Sequence, residues 1–234
     1  MTPLIAKVNV KRISINQEHV DDFVDEVAAE IKANIYVDGE LRSVLGTSPH
    51  KLLELGLGYI LAHKLSIPDE HYIKVQGTDI LIEKVVETGR ECKLNEEEIK
   101  LSKNTIFRVL KEVMNRADLF KRTGCFHVAA ITTLNGDIID LVEDISRHCA
   151  FYKVVGSVYR KGIDFSKTLI VMSSRASSDL VEGITNICIP IAIFRGAPTL
   201  KSIELSDKHS ITLIAHARED RANIYTRPSR ILLT

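Results

Sequence analysis

The pair Asn135-Gly136 stands between two apolar runs, residues 127–134 and 138–142. Asn-Gly supplies the positive-φ positions that a tight antiparallel hairpin needs, so both runs read as strands. Beyond the hairpin, helical and strand patterns alternate. Spacing predicts a helix over 147–160 ending at Gly162, strand 168–172, helix 179–184, strand 187–194, helix 200–208 and strand 211–215. Ahead of the hairpin, Ile106, Val109, Leu110, Val113, Met114 and Ala117 recur at helical spacing, which starts a helix after Asn104 and carries it to about Leu119. A hairpin continued by this alternation folds as helices layered on a sheet, an α/β class.

The first hundred residues are patterned differently. The alternating stretch 7–13, and 31–37 with its turn pair Asp38-Gly39, read as strands. Thr47-Ser48-Pro49 offers a cap and a first-turn proline to a helix carrying Leu52, Leu53, Leu57, Tyr59, Ile60 and Leu61, which stops before Ser66-Ile67-Pro68. Residues 73–86 return to strand composition, and 87–104 are almost purely polar, as in a linker or mobile loop. The expected organisation is therefore a smaller N-terminal α+β domain over 1–100, with a cysteine-bearing loop at its end, and an α/β domain over 101–234.

Charge narrows the partners. Lysines and arginines equal aspartates and glutamates, 31 each, so no overall field draws the chain to nucleic acid or an anionic membrane, and any anion site is local. No run approaches the ~18 apolar residues of a membrane span, and Met1-Thr2-Pro3-Leu4 lacks a basic segment leading into an apolar one. A cytoplasmic protein is the expectation. The four cysteines, Cys92, Cys125, Cys149 and Cys188, are widely spaced, with no CxxC and no close histidine pair. They fit neither a disulfide framework nor a structural zinc site, so free thiols are expected.

Four segments carry residue types suited to chemistry. In the first, Cys125 lies two residues before His127, with Lys121 and Arg122 upstream, surroundings that favour thiolate; on a strand the same pair serves equally as packing. The second, Glu143-Asp144-Ile145-Ser146-Arg147-His148-Cys149, precedes a helix that Asp144 or Ser146 is fitted to cap. The third, residues 172–179, places Ser174, Arg175, Ser177 and Ser178 at a helix start, where free N–H groups and hydroxyls hold phosphate or simply cap. The fourth, His216-Ala217-Arg218-Glu219-Asp220-Arg221, comes directly after a strand, and its two arginines suit a pyrophosphate or a surface ion pair. Strand-to-helix junctions gather at one sheet edge, so together these segments point to an anionic ligand.

The same segments resemble the FdhD/NarQ family. Thr123-Gly124-Cys125-Phe126-His127-Val128-Ala129-Ala130 is similar to its TGGxHxAA, Glu143 through Gly156 to its EDxGRHNAxDKxxG, and Ser174-Arg175-Ala176-Ser177 to its SGRAS. Ala197-Pro198-Thr199 resembles its SAP turn, and Thr212 through Thr226 its TLxGFxRxxRxNxY(S/T) ending. Ile35 through Gly39 and Ser48 through Tyr59 extend the likeness, in collinear order, back to about residue 30.

The resemblance implies a cytidine-deaminase-like three-layer second domain. It is no zinc deaminase: the HxE and PCxxC signatures are absent, and Arg147-His148-Cys149 and Ser174 to Ser177 occupy the corresponding helix starts. No structural metal is expected. It also implies a sulfurtransferase-type accessory protein for formate dehydrogenase, an enzyme only in a loose sense, which takes persulfide sulfur from a cysteine desulfurase and passes it to a molybdopterin guanine dinucleotide cargo, and it implies a homodimer. Arg147-His148, Ser174 to Ser178 and His216 to Arg221 take the cofactor-binding role.

In the family the sulfur-carrying thiol belongs to a CxxC on a loop. Here that motif is reduced to Cys92, with Asn95 where the second cysteine would stand, and Arg90 and Lys93 flanking it to favour thiolate. Cys92 is the preferred catalytic thiol because a mobile loop suits relay, and Cys125, which replaces a family glycine, is the second candidate. The alternative is a diverged member that binds the cofactor or a guanine nucleotide, or chaperones a dehydrogenase, without carrying sulfur.

Overall fold

The structure, a computed structural model, describes residues 3–16, 19–88, 92, 94 and 99–233. In chain order the first part comprises β1 (Ile5–Arg12), β2 (Asp21–Ala28), β3 (Ile31–Val37), β4 (Glu40–Thr47), α1 (Leu52–Ala62), β5 (Leu65–Ser66), β6 (Ile73–Gln76), β7 (Asp79–Ile82) and β8 (Val86–Glu87). The remainder comprises β9 (Leu101–Ser102), α2 (Lys103–Arg116), α3 (Asp118–Thr123), β10 (His127–Thr133), β11 (Ile138–Asp144), α4 (Arg147–Arg160), β12 (Thr168–Met172), α5 (Ser178–Asn186), β13 (Ile191–Phe194), α6 (Leu200–Lys208), β14 (Thr212–Ala215), β15 (Asn223–Ile224) and β16 (Ile231–Leu232).

A six-stranded sheet, in the order β11-β10-β12-β13-β14-β15, organises the second part. The Asn135-Gly136 hairpin forms its β10–β11 edge as the spacing predicts, β12, β13 and β14 run parallel, and β10 is antiparallel to β12. Successive side chains of each strand bury on opposite faces. Val128, Ala130, Leu169, Val171, Ile191 and Ile193 face α2 through Ile106, Val109, Leu110 and Val113. Ala129, Ile131, Ile170, Met172, Ala192 and Phe194 face α4 and α5 through Phe151, Val154, Val158, Leu180 and Ile184. Each buried Val, Leu, Ile, Phe or Met among them contributes about 1.5–3 kcal/mol, so the three layers hold each other in register.

A four-stranded sheet, β4-β3-β7-β6, carries α1 on its inner face, and α1 in turn crosses α4. The crossing is close because glycines meet backbone. A Cβ at Gly58 would land on the Tyr152 carbonyl, and one at Gly156 on that of Glu54.

Several boundaries differ from the sequence expectation. Helix α1 begins at Leu52 behind a left-handed Lys51 rather than at Pro49, because Thr47 and Ser48 turn inward to an aspartate instead of capping it. The helix expected to reach Leu119 stops at Arg116, and α3 begins after a break at Ala117. Strand β13 is shorter than 187–194, since Cys188 takes φ +66° and Pro190 has no N–H to give the ladder. β2 and β4 carry too many polar residues for their pairing to stand out in the sequence. The expected polar loop of 87–104 lies in large part outside the described residues, as do Arg90, Lys93 and Asn95. Among the described residues no helix is long and apolar enough to cross a membrane.

Candidate functional site

Because β12, β13 and β14 are parallel, the loops at their C-terminal ends emerge at one edge of the sheet, and hydrogen bonds join them there. Gly196 N–H donates to Ser174 O (3.0 Å), His216 N–H to Gly196 O (3.1 Å), and Arg218 Nη1 to Arg195 O (2.5 Å) and Ala217 O (2.9 Å). Gly196 is required by contact: a Cβ would sit 2.6 Å from the Arg175 backbone. A cavity of about 250 Å³ opens on this edge, lined by His216, Arg218, Arg221 and Asn223. Arg218 is half-buried and fixed by its two carbonyls, whereas Arg221 reaches into solvent with Asp220 3.8 Å away. A fixed guanidinium beside an exposed one is suited to phosphate oxygens.

The neighbouring segments adjoin this edge. Since β10 is antiparallel to β12, its start lies beside the end of β12: Ser173 N–H donates to Val128 O (2.9 Å), Val128 N–H to Ser173 Oγ (2.9 Å), and His127 Nδ1 lies 3.5 Å from that hydroxyl. Burial, and then the Arg147 charge, hold His127 below its ordinary value. At the start of α4, His148 Nε2 meets Asp179 Oδ2 on the first turn of α5, tying Arg147-His148 to the segment Ser174 to Ser178. Burial raises the Asp179 carboxyl, but Ser177 and His148 together outweigh it and leave it below the ordinary range. Arg147 Nε is buried and has no hydrogen-bond partner among the described residues. All four segments singled out in the sequence thus reach one edge, with Arg175, Glu219, Asp220 and Arg221 exposed on it.

The acidic pair Glu143-Asp144 has structural work instead. Glu143 accepts from the Leu119 and Phe120 N–H groups (3.0 and 2.6 Å) and so closes the open start of α3, while Ser146 caps α4 by accepting from Cys149 N–H. Asp144 is fully buried against Lys153, at 2.6 Å, and accepts from Thr47 and Ser48, joining the end of β4 to α4. Burial lowers Lys153 against the pull of Asp144. This network was invisible in the sequence, where its two halves, Thr47-Ser48 and Asp144 with Lys153, lie about a hundred residues apart.

The thiols divide. Cys125 is free and exposed at the start of β10, on the cavity's edge of the sheet. The cations read as its activators are engaged elsewhere: Arg122 pairs with Glu26 of β2 through two 2.8 Å bonds, and Lys121 donates to Asn115 O. Cys149 is buried, its thiol pushed up to about 11 by burial and then by Asp144.

Against the expectation of four free thiols, Cys92 is disulfide-bonded to Cys188, with Cα atoms 5.4 Å apart. A separation of 96 residues hides such a pairing from sequence spacing. Cys188 lies between α5 and β13, at the sheet edge opposite the cavity, so Cys92 and the arginine loop are not brought together. The four residues of β13 alone separate the two edges by about 13 Å. Among the described residues no group of three or more His, Cys, Asp or Glu side chains is placed to hold a metal ion.

Comparison with known proteins gives a consistent picture. The model of the FdhD/NarQ family matches residues 70–232. "Sulfur carrier protein FdhD" of Methanothermobacter thermautotrophicus is 26% identical over 98% of this chain and 99% of its own length. "Protein FdhD" of Methanocaldococcus jannaschii is 34% identical over 95% of this chain and 97% of its own. Among solved structures, a protein of Desulfotalea psychrophila assigned to formate dehydrogenase accessory function superimposes with a TM-score of 0.83 at 24% identity, covering 98% of this chain and all of that one, which establishes a shared mixed α/β fold.

Proposed function

This chain belongs to the FdhD/NarQ family, and from that premise we propose that it is a sulfur carrier for a molybdenum enzyme of the formate dehydrogenase type. A cysteine desulfurase loads it: the Cys92 thiolate attacks the terminal sulfur of the desulfurase persulfide, the desulfurase cysteine leaves as thiolate, and Cys92 carries the persulfide. The cargo that receives this sulfur is molybdenum in molybdopterin guanine dinucleotide, held at the sheet edge before insertion into the enzyme.

The observation that carries the reading is the cavity of His216, Arg218, Arg221 and Asn223, joined through Gly196 to the serine loop at the start of α5. It offers two guanidinium groups to a pyrophosphate, in a chain with no net charge to attract one non-specifically. Arg147 and His148, fastened to α5, extend the same surface. For Cys92 to act, its bond to Cys188 opens first, because a bridged sulfur is no nucleophile. The reading treats residues 1–100 and 101–234 as two domains, the second cytidine-deaminase-like, in a cytoplasmic homodimer.

Cys125 favours a second arrangement, since it is the exposed thiol on the cavity's own edge. Restoration of formate dehydrogenase activity in a host lacking its own accessory protein separates the two. Cys92→Ala abolishes activity and Cys125→Ala retains it if Cys92 is the carrier. The reverse moves the role to Cys125, and retention by both leaves a protein that binds the cofactor or chaperones the dehydrogenase without carrying sulfur.

A further inference from the structure

Cys92 and Cys188 are joined across 96 residues of sequence, with the bond reaching the short connection between α5 and β13. Cys188 occupies the left-handed region, φ +66°, which disfavours a side chain and where glycine or asparagine is the ordinary choice after a helix. Its N–H donates to Thr185 O (3.1 Å), and Ile187 and Ile189 on either side are buried in the core, so the thiol is held on rigid backbone. The other cysteines cannot take its place. Cys125 is at the opposite sheet edge, and Cys149 is buried, its thiol bonded toward Gly46 O.

We propose that Cys188 is the resolving thiol of Cys92, an inference that rests on the sulfur-carrier reading. When Cys92 carries a persulfide, the Cys188 thiolate attacks Cys92 Sγ. A bond forms between the two Sγ atoms, the bond from Cys92 Sγ to the terminal sulfur breaks, and that sulfur departs with the electron pair as hydrosulfide. The sulfane sulfur is reduced to sulfide, and the two cysteines supply its electrons by becoming the disulfide seen here. A dithiol reductant then exchanges with the disulfide, regenerating both thiols and becoming oxidised itself. Sulfur therefore leaves this chain as sulfide whenever Cys188 reaches Cys92, and the bridged form accepts no new sulfur until it is reduced.

The test measures persulfide lifetime in the full chain. Wild type, Cys188→Ser and Cys188→Gly, the last chosen because glycine suits the left-handed backbone, are reduced, freed of reductant without air, loaded with a cysteine desulfurase and cysteine, and separated from both. Peptide mass mapping and sulfide release are then read over time.

Wild type is expected to lose the added sulfur from Cys92, release sulfide in equal amount and accumulate the Cys92–Cys188 linked peptide. The variants are expected to keep the added sulfur on Cys92 at least about tenfold longer and to release no sulfide. Equal lifetimes in all three proteins overturn the inference and leave sulfur carriage standing. Added sulfur appearing on Cys188 overturns it in favour of persulfide hand-over. Failure of Cys92 to load in folded Cys188→Gly overturns Cys92 as the carrier and this inference with it, and failure of every cysteine to load overturns sulfur carriage itself.

Discussion

Asp144 Oδ2 accepts from the Thr47 hydroxyl, the Ser48 N–H and hydroxyl, and the Lys153 ammonium, all in a site closed to solvent. Removing only the cation strands a buried carboxylate. Lys153→Met is expected to cost about 3–5 kcal/mol in chemical denaturation, and Asp144→Asn added to it to recover much of that loss. His50 stands against the same group, its Nδ1 3.0 Å from Ser48 Oγ, and burial together with the Lys153 charge lowers it from 6.5 to about 4. Between those values the unfolded chain binds a proton that the folded chain refuses. Stability therefore rises with pH across that window, is complete above about 6.5, and is lost as pH falls through 4. His50→Gln should flatten that limb of the curve of unfolding free energy against pH. At the thiols, Cys125 should react with a maleimide in the native protein near neutral pH while Cys149, buried and pushed up to about 11, should not. Ser48 was read in the sequence as a helix cap because the segment offered a cap, a proline and an apolar run. Its actual partner is about a hundred residues away, and no local pattern could indicate it.

The crossing of α1 and α4 is the element on which the first part of the chain meets the second. Gly58 and Gly156 let the two backbones touch, so Gly58→Ala or Gly156→Ala must push the helices apart, at a cost of about 1–3 kcal/mol in thermal or chemical unfolding. Both changes raise intrinsic helix propensity, which gives the test its edge: propensity alone would make either variant more stable. At this scale the sequence was informative where one face of an element is buried and the other is not. Helix α4 runs from Arg147 to Arg160 as expected, and β12 matches residue for residue, because each has a strong period and a clear stop. β2, with four acidic residues in eight, pairs with β1 alone among the described residues and has little apolar face to announce it.

Across the molecule, topology assembles the candidate site: parallel strands deliver the serine, Gly196 and arginine loops to one edge, so residues scattered from Arg147 to Arg221 converge there. Guanosine diphosphate serves as a probe for the nucleotide half of the cargo. Arg221→Ala is expected to weaken its binding in calorimetry about tenfold with little change in stability, whereas Arg218→Ala should lose both, since Arg218 also holds the Arg195 and Ala217 carbonyls. The convergence was legible in the sequence because strand-to-helix junctions have fixed polarity. The bond between Cys92 and Cys188 was not, since it depends on where a long polar segment returns to the core.

Sulfur carriage itself is tested most directly by peptide mass mapping of the reduced chain immediately after incubation with a cysteine desulfurase and cysteine. The mass of one sulfur atom is expected on the peptide containing Cys92, with Cys125 and Cys149 unchanged. A chain that gains sulfur on none of its cysteines would contradict sulfur carriage.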